Sequence, residues 1–128
     1  MKLTINKTKS DKVINFLLLI GFLYFSYFSI KYLQPPKIII VNKSGYSINN
    51  LSLQGSGNNL KIGTLKIDES LTIKPEIKGE TTLDVIFTLK EESFIKENMV
   101  YIHEYSQGYN TQIIISQDGK TNSKLKRN

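Results

Sequence analysis

His103 is the first candidate for chemistry, because it is the single histidine of a chain that has no cysteine. A zinc site would have to combine this imidazole with carboxylates, and the sequence has no histidine pair at metal-ligand spacing. A serine hydrolase would need the imidazole beside a nucleophilic serine, but the sequence contains no Gly-x-Ser-x-Gly turn. The sequence therefore predicts neither a metal site nor nucleophilic catalysis.

Acidic residues near strand ends could supply the paired carboxylates of a glycoside hydrolase. They are Glu91, Glu92, Glu97 and Glu104. A domain this small lacks room for a deep cleft with aromatic walls, so we interpret these residues as solvated strand ends. The segment 55–59 lacks the Gly-Lys-Ser/Thr ending of a phosphate loop and is typical of a turn. We expect a non-catalytic protein with no cofactor and no small-molecule substrate.

An aromatic strip is the best candidate for binding. In segment 99–105, Val100 and Ile102 point to one side of a predicted strand, and larger residues point to the other. The candidate partner-binding strip consists of Met99, Tyr101, His103, Tyr105 and Tyr109. Tyrosine suits an interface because it combines a large ring with a polar tip. The alternative is that these rings cover the rim of the core, with their hydroxyls in water.

Charge is distributed unevenly along the chain. The net charge is +6, but residues 37–123 contain nine lysines against ten acidic residues, so the excess lies near the two ends. A nucleic-acid-binding face needs clustered Lys and Arg on the folded domain, and we therefore expect no nucleic-acid partner. The lack of cysteine excludes disulfides, thiolate metal sites and a lipoprotein anchor. A cysteine-free domain outside the cytoplasm is more typical of bacteria than of secreted eukaryotic domains.

Segment 13–33 is long and apolar enough to cross a membrane. Residues 13–30 carry no charge, and the whole segment as a helix would span roughly 30 Å. Tyr24 and Tyr27 occupy the −3 positions of the possible cleavage sites, and such bulky residues disfavour a cleaved signal peptide. A soluble core helix is disfavoured because the segment is apolar around its whole circumference. We predict an uncleaved transmembrane helix.

Lysines before this segment predict its orientation. Positively charged flanks stay in the cytoplasm, and residues 1–12 include Lys2, Lys7, Lys9 and Lys12. We expect a basic cytoplasmic N-terminus and an extracytoplasmic C-terminal domain, in a single-pass protein of the cytoplasmic (inner) membrane. The lipid bilayer would be its first partner.

Three small residues of the segment are candidates for helix packing. Gly21, Ser26 and Ser29 are small enough to let a second helix approach. Their spacing is not the Gly-xxx-Gly pattern, and the alternative is that they simply face lipid.

The sequence after Pro36 changes to a period of two. The clearest alternation is in segment 81–90, where Leu83, Val85, Phe87 and Leu89 point one way. Further short runs, divided by Gly-, Asn- and Asp-containing turns, bring the total to about seven strands. This pattern predicts an all-β fold, a small immunoglobulin-like β-sandwich preceded by one transmembrane helix, with a small barrel as the alternative. The predicted boundaries are a linker at 34–36, the sandwich at 37–119 and a basic flexible tail at 120–128.

A motif inside the domain joins three of these strands. Its residues are Ile62, Leu65, Glu69, Ser70, Gly79 and Leu83. Over about 40 residues the segment resembles bacterial immunoglobulin-like, adhesion-type or fibronectin-like domains, in which Ile-x-x-Leu-x-x-Gly-Glu-Ser leads into the next strand. Asp68 stands where those domains have Gly. The resemblance implies a β-sandwich with a binding or scaffolding role.

These features together predict a membrane-anchored protein whose small extracytoplasmic domain works by protein–protein contact in the cell envelope. It would be a non-catalytic accessory or binding subunit, and its partner would be an envelope or membrane protein. The alternative is a membrane-anchored immunity or inhibitor protein against a toxin or an envelope enzyme. The near-neutral total charge of residues 37–123 counts against this alternative, because basic toxins are commonly bound by an acidic face.

Overall fold

The computed structural model describes residues 9–55, 57–76, 79–103 and 108–127. The chain divides after Leu33 into two compact units. The first unit contains one described helix, and the second contains the described strands. Residue 34 is also where the sequence predicts the linker to begin.

Helix α1 runs from Lys9 to Tyr32 and has 24 residues, none of them buried. The backbone N–H of Leu33 donates to the carbonyl of Ser29 at 2.9 Å. Pro35 and Pro36 follow, and proline both lacks the N–H that a helix needs and disfavours helical geometry in the preceding residue. With a mean hydropathy of 2.0 over its best window, α1 is long and apolar enough to cross a membrane, a criterion that a signal sequence also meets.

Eight strands follow α1 among the described residues, where the sequence predicts about seven. They are β1 (Lys37–Lys43), β2 (Ile48–Gly55), β3 (Asn58–Leu65), β4 (Ser70–Ile73), β5 (Glu80–Leu89), β6 (Glu92–His103), β7 (Tyr109–Ser116) and β8 (Thr121–Arg127). The prediction of a mostly β protein with one N-terminal apolar helix is confirmed.

The strands form two four-stranded sheets. Sheet I has the order β4-β1-β7-β8, and sheet II has the order β3-β2-β5-β6. In sheet I, β1 runs parallel to β7, from Lys37 opposite Asn110 to Lys43 opposite Ser116. Strand β8 runs antiparallel to β7 and places Arg127 opposite Tyr109. The starts of β1 and β7 and the end of β8 therefore lie together, at what we call the proximal end of sheet I.

The two sheets contribute to one hydrophobic core. Along β5, burial alternates as predicted, and Leu83, Val85, Phe87 and Leu89 are all buried. These side chains belong to the same core cluster as the buried isoleucines of sheet I. Those isoleucines are Ile38, Ile40, Ile113 and Ile115. Full burial of one such side chain contributes about 1.5–3 kcal/mol, so this shared core is the main source of stability.

The C-terminal segment differs from its prediction. Residues 120–128 were expected to form a flexible tail, but Thr121–Arg127 is strand β8, paired with β7 over its whole length. The side chains of β8 are mostly exposed. The sequence of this segment therefore lacks the alternation of apolar and polar residues that predicts a strand. Backbone hydrogen bonding to β7, which no side-chain period reveals, accounts for this strand.

The strand order also differs from that of an immunoglobulin constant-type domain. In that fold the first, second, fifth and fourth strands share one sheet. Here β1 pairs with β4 and β7, while β2 pairs with β3 and β5. The protein has two four-stranded sheets, and the strands are divided between them differently from the constant-type fold.

Asn42, at the distal end of β1, is a buried polar residue that holds three segments together. Its side-chain amide donates to the carbonyls of Tyr46, Leu65 and Lys66 at 2.7, 3.1 and 2.9 Å. Its side-chain oxygen accepts the backbone N–H and the hydroxyl of Ser44 at 3.0 and 2.6 Å. One side chain thus joins the turn after β1 to the end of β3, and its burial is compensated by these bonds.

Candidate interaction surfaces

The aromatic strip predicted from the sequence lies partly on β6. Val100 and Ile102 are buried, while Tyr101 is 55% exposed and His103 is half-buried. Tyr101 and His103 therefore share the outer face of sheet II, where their backbone partners on β5 are Thr82 and Glu80.

Met99 does not continue this outer strip. Leu83 pairs with Val100 but Val85 pairs with Lys96, so residues 97–99 lie opposite the single residue Asp84. This bulge contains Asn98 with φ of 54°, and the Asn98 N–H donates to the Asp84 carboxylate at 2.8 Å. A bulge redirects the side chains beside it, and Met99 packs half-buried against the core instead of lying beside Tyr101.

The hydroxyl of Tyr101 donates a hydrogen bond to the carboxylate of Glu80, which lies on the neighbouring strand. This hydrogen bond is the largest cause of a raised pKa for Tyr101, followed by desolvation and by the negative charge of Glu80. The interaction links the hydroxyl of an exposed tyrosine on β6 to a side chain of β5.

Tyr105 and Tyr109 complete the predicted strip. Tyr105 lies outside the described residues. Tyr109 begins β7 in sheet I, on the side of the strand that also carries the buried Thr111 and Ile113, and it is 37% exposed. The guanidinium of Arg127 lies 5.7 Å from the centre of its ring. Of the four predicted residues that the structure describes, it brings Tyr101 and His103 together.

The three candidate helix-packing residues span a broad arc of α1. At about 100° per residue, Ser26 and Ser29 are separated by roughly 60°, and Gly21 lies roughly 80° from Ser29. Ser26 and Ser29 are half-buried among their own neighbours, and a Cβ added to Gly21 would meet no atom within 4 Å. The two serines share one face, with Gly21 at its margin.

A basic surface that the sequence did not predict covers the outer side of sheet I. Burial alternates along β1 and β7, so the residues between the buried positions face outward. The outward charged residues of this sheet are Lys37, Lys43, Lys124 and Lys126, and we call this surface the basic face. The four strands of sheet I, all of them described, contain no acidic residue.

Sheet II carries the opposite excess of charge. Its strands contain Lys61 and Lys96 against four carboxylates, which are Glu80, Asp84, Glu92 and Glu97. The near-neutral total for residues 37–123 therefore hides a separation of charge between the two sheets. A sum of charge per strand would have revealed part of it, but only the sheet order shows which strands are neighbours.

A cleft of about 540 Å³ opens beside strands β3 and β5. Its lining combines Leu60, Pro75 and Leu83 with Asn59, Lys74 and Glu76. Among the described residues, no three His, Cys, Asp or Glu side chains lie close enough together to hold a metal ion.

The fold and these surfaces define a small protein of two four-stranded β-sheets that is preceded by an apolar helix. No family model matches the chain, and no curated protein matches it. A solved structure is similar: the NMR structure of a protein from Eubacterium rectale, with a TM-score of 0.53 and 15% identity. The match covers 74% of this chain and 91% of the other. At this identity the similarity supports the fold alone.

Proposed function

We propose that this chain is a single-pass membrane protein that acts by protein–protein contact in the cell envelope. Helix α1 carries the proposal, because none of its 24 residues is buried and its most apolar 18-residue window has a mean hydropathy of 2.0, which suits a lipid environment. The lysines before it favour a cytoplasmic N-terminus, with the two-sheet domain on the other side of the membrane.

The outer face of sheet II is the surface we assign to the partner. Tyr101 is exposed and held by Glu80, and His103 lies beside it. A tyrosine whose hydroxyl already has a hydrogen-bond partner loses less conformational entropy on binding than one that has none. The weak resemblance to bacterial immunoglobulin-like domains supports the same class of role, although the strand order departs from the constant-type arrangement.

The anchoring and orientation can be tested with single cysteines, because the chain has none of its own. Ser10→Cys lies at the start of α1, and Asn122→Cys lies on the exposed side of β8. We expect a membrane-impermeant maleimide to label Asn122→Cys in intact cells, and to label Ser10→Cys only after the cells are permeabilised. The reverse pattern, or release of the domain from washed membranes, would contradict the proposal.

The contact role can be tested by crosslinking and co-purification from solubilised membranes. We expect a partner protein to co-purify with the wild-type chain but not with the Tyr101→Ser variant. The free energy of unfolding of the variant should equal that of the wild-type chain. Tyr46→Ser is the matched control, since Tyr46 is also an exposed tyrosine, 48% accessible, but lies in the turn after β1. Equal recovery of the partner with both variants would contradict the assignment of this surface.

The alternative, an immunity or inhibitor protein, gains support from one observation. Glu80 and Asp84 lie on the outward side of β5, so sheet II presents the acidic surface that a basic toxin would recognise. Under this alternative, Glu80→Lys with Asp84→Lys should abolish protection of cells from the toxin. Under the accessory-subunit proposal, the same variant should impair an envelope process in cells that meet no toxin.

A further inference from the structure

The basic face is most concentrated at the proximal end of sheet I. Lys37, Asn110 and Lys126 occupy one row across three adjacent strands. Strands lie about 4.8 Å apart, so the backbones of the two lysines are separated by about 10 Å. Lys124 points to the same side of β8 one row further on. The fourth lysine of this face, Lys43, lies at the opposite end of β1. Its Nζ forms an ion pair with Oδ1 of Asp68 at 3.4 Å.

Apolar side chains lie between these lysines. Ile39 and Val41 on β1 and Ile114 on β7 alternate with the buried core positions and are themselves half-buried on the outward side. Lysine stems can lie over such a surface while their ammonium groups extend beyond it. The basic face thus combines half-buried apolar side chains and the polar Asn110 and Gln112 with lysines around them, which suits a surface of phosphate groups above hydrocarbon.

The short segment between α1 and β1, which we call the tether, restricts which molecules the basic face can contact. Four residues, 33–36, separate the two elements, so the start of β1 lies within roughly 18 Å of the end of the helix even with the chain fully extended. The backbone N–H of Gly108 donates to the carbonyl of Gln34 at 2.8 Å. This hydrogen bond attaches the start of the domain to the residue just before β7, at the proximal end of sheet I.

We propose that the basic face of sheet I docks on anionic phospholipid headgroups of the membrane that anchors the chain. The proposal rests on the proposed function, because it requires α1 to be in that membrane. The charges are complementary, and the tether keeps the lipid at a high local concentration that a free acidic protein would not have. Sheet II, with its carboxylates and Tyr101, is then directed away from the lipid and toward the partner.

The test uses the full chain, reconstituted into vesicles of phosphatidylcholine alone or of phosphatidylcholine and phosphatidylglycerol in equal parts. A donor dye is attached at Asn122→Cys on the outer side of sheet I, or at Thr82→Cys on the outer side of sheet II, and the lipid carries a trace of acceptor dye. With phosphatidylglycerol, we expect energy transfer to rise for Asn122→Cys and to fall for Thr82→Cys. Both changes should vanish in about 1 M salt, where the screening length is about 3 Å.

Charge variants identify the residues responsible. Each basic residue near an anionic surface favours contact about fivefold, so Lys124→Gln with Lys126→Gln should lower the ratio of docked to undocked domains roughly 25-fold. The matched control is Lys61→Gln with Lys66→Gln, which removes two exposed lysines that lie outside sheet I. The control should dock as the wild-type chain does.

The outcomes separate this proposal from the anchoring itself. Flotation of the chain with vesicles of both compositions, without any dependence of energy transfer on phosphatidylglycerol, would overturn the docking and leave the anchor intact. Flotation with phosphatidylglycerol vesicles alone would support lipid binding by the basic face and overturn the anchor. Failure to float with either would overturn both.

Discussion

At the scale of single residues, the positions that carry the most structural consequence are polar or glycine positions rather than the large apolar ones. The two N–H groups of the Asn42 amide are shared among three carbonyl groups, and its oxygen receives two hydrogen bonds from Ser44. Gly119 allows the ring of Phe94 to pass directly over the backbone, where a side chain would collide with it. Neither role is visible in the sequence, because both depend on segments that meet through the fold.

Replacing Asn42 should destabilise the domain strongly. Asn42→Ala removes the side-chain donor from the buried carbonyl of Leu65 and from the part-buried carbonyls of Tyr46 and Lys66, and we expect the free energy of unfolding to fall by about 3 kcal/mol. Denaturant unfolding of the solubilised full chain measures the loss. Asn122→Ala, at an exposed position of β8, is the matched control and should change stability by less than about 0.5 kcal/mol. Equal losses in the two variants would contradict the role of Asn42.

Gly119→Ala should cost more than Gly45→Ala, although both glycines have positive φ, 75° and 81°. The backbone strain of about 1–2 kcal/mol is common to both variants. A Cβ at Gly45 meets no atom within 4 Å, whereas a Cβ at Gly119 collides with the ring of Phe94. We expect thermal unfolding to show the additional loss for Gly119→Ala, and a further Phe94→Leu substitution to recover part of it. An equal loss at the two sites would refute the close contact.

The pair of Tyr101 and Glu80 should be visible in the titration of the tyrosine. The hydrogen bond to Glu80 favours the neutral phenol, so it is present below the raised pKa of Tyr101 and is lost as pH rises through it. Glu80→Ala should lower that pKa toward the ordinary value of 10.0. Carbon NMR of labelled tyrosine follows the titration, and Tyr101→Phe identifies the signal. Glu92→Ala, an exposed carboxylate elsewhere on β6, should leave it unchanged.

At the scale of elements, the sequence predicts a strand best when one face of that strand is buried and the other is exposed. Strand β5 was predicted closely because every second side chain enters the core. Strand β8 was missed because its side chains are mostly exposed, so neither face has a hydrophobic pattern. Strict alternation places Tyr101 and His103 on the outer face of β6, where the structure also has them, but it fails for Met99 at the bulge beside Asn98, which the sequence pattern does not reveal.

Removal of β8 should therefore harm the domain, although its sequence resembles a solvated tail. Truncation after Lys120 would expose the backbone groups of β7 and create an unprotected edge. We expect the melting temperature to fall by roughly 10 °C and the chain to aggregate more readily. Lys124→Gln with Lys126→Gln, which keeps the backbone pairing and changes the charge, is the control and should melt with the wild-type chain. A truncated chain that melts normally would show that β8 is dispensable.

At the scale of the whole molecule, charge was the property that the sequence described least well. Residues 37–123 contain nearly equal numbers of basic and acidic residues. The charged residues in the strands of sheet I are nevertheless all basic, whereas sheet II contains the four carboxylates described above. The basic residues come from β1 and β8, which lie at opposite ends of the domain sequence and become near neighbours only through β7. Long-range pairing of this kind cannot be obtained from local periodicity, so the basic face requires the structure.

The position of β1 between two partners has a mechanical consequence. The strand nearest the tether is hydrogen-bonded to β4 on one side and to β7 on the other. Tension applied at residue 34 along the axis of β1 is shared by both ladders at once, so the strand must be sheared out rather than opened one bond at a time. We expect the domain to yield only at a high force when residue 34 is pulled along the axis of β1 in a single-molecule experiment, as the proposed role between a membrane and a partner would require.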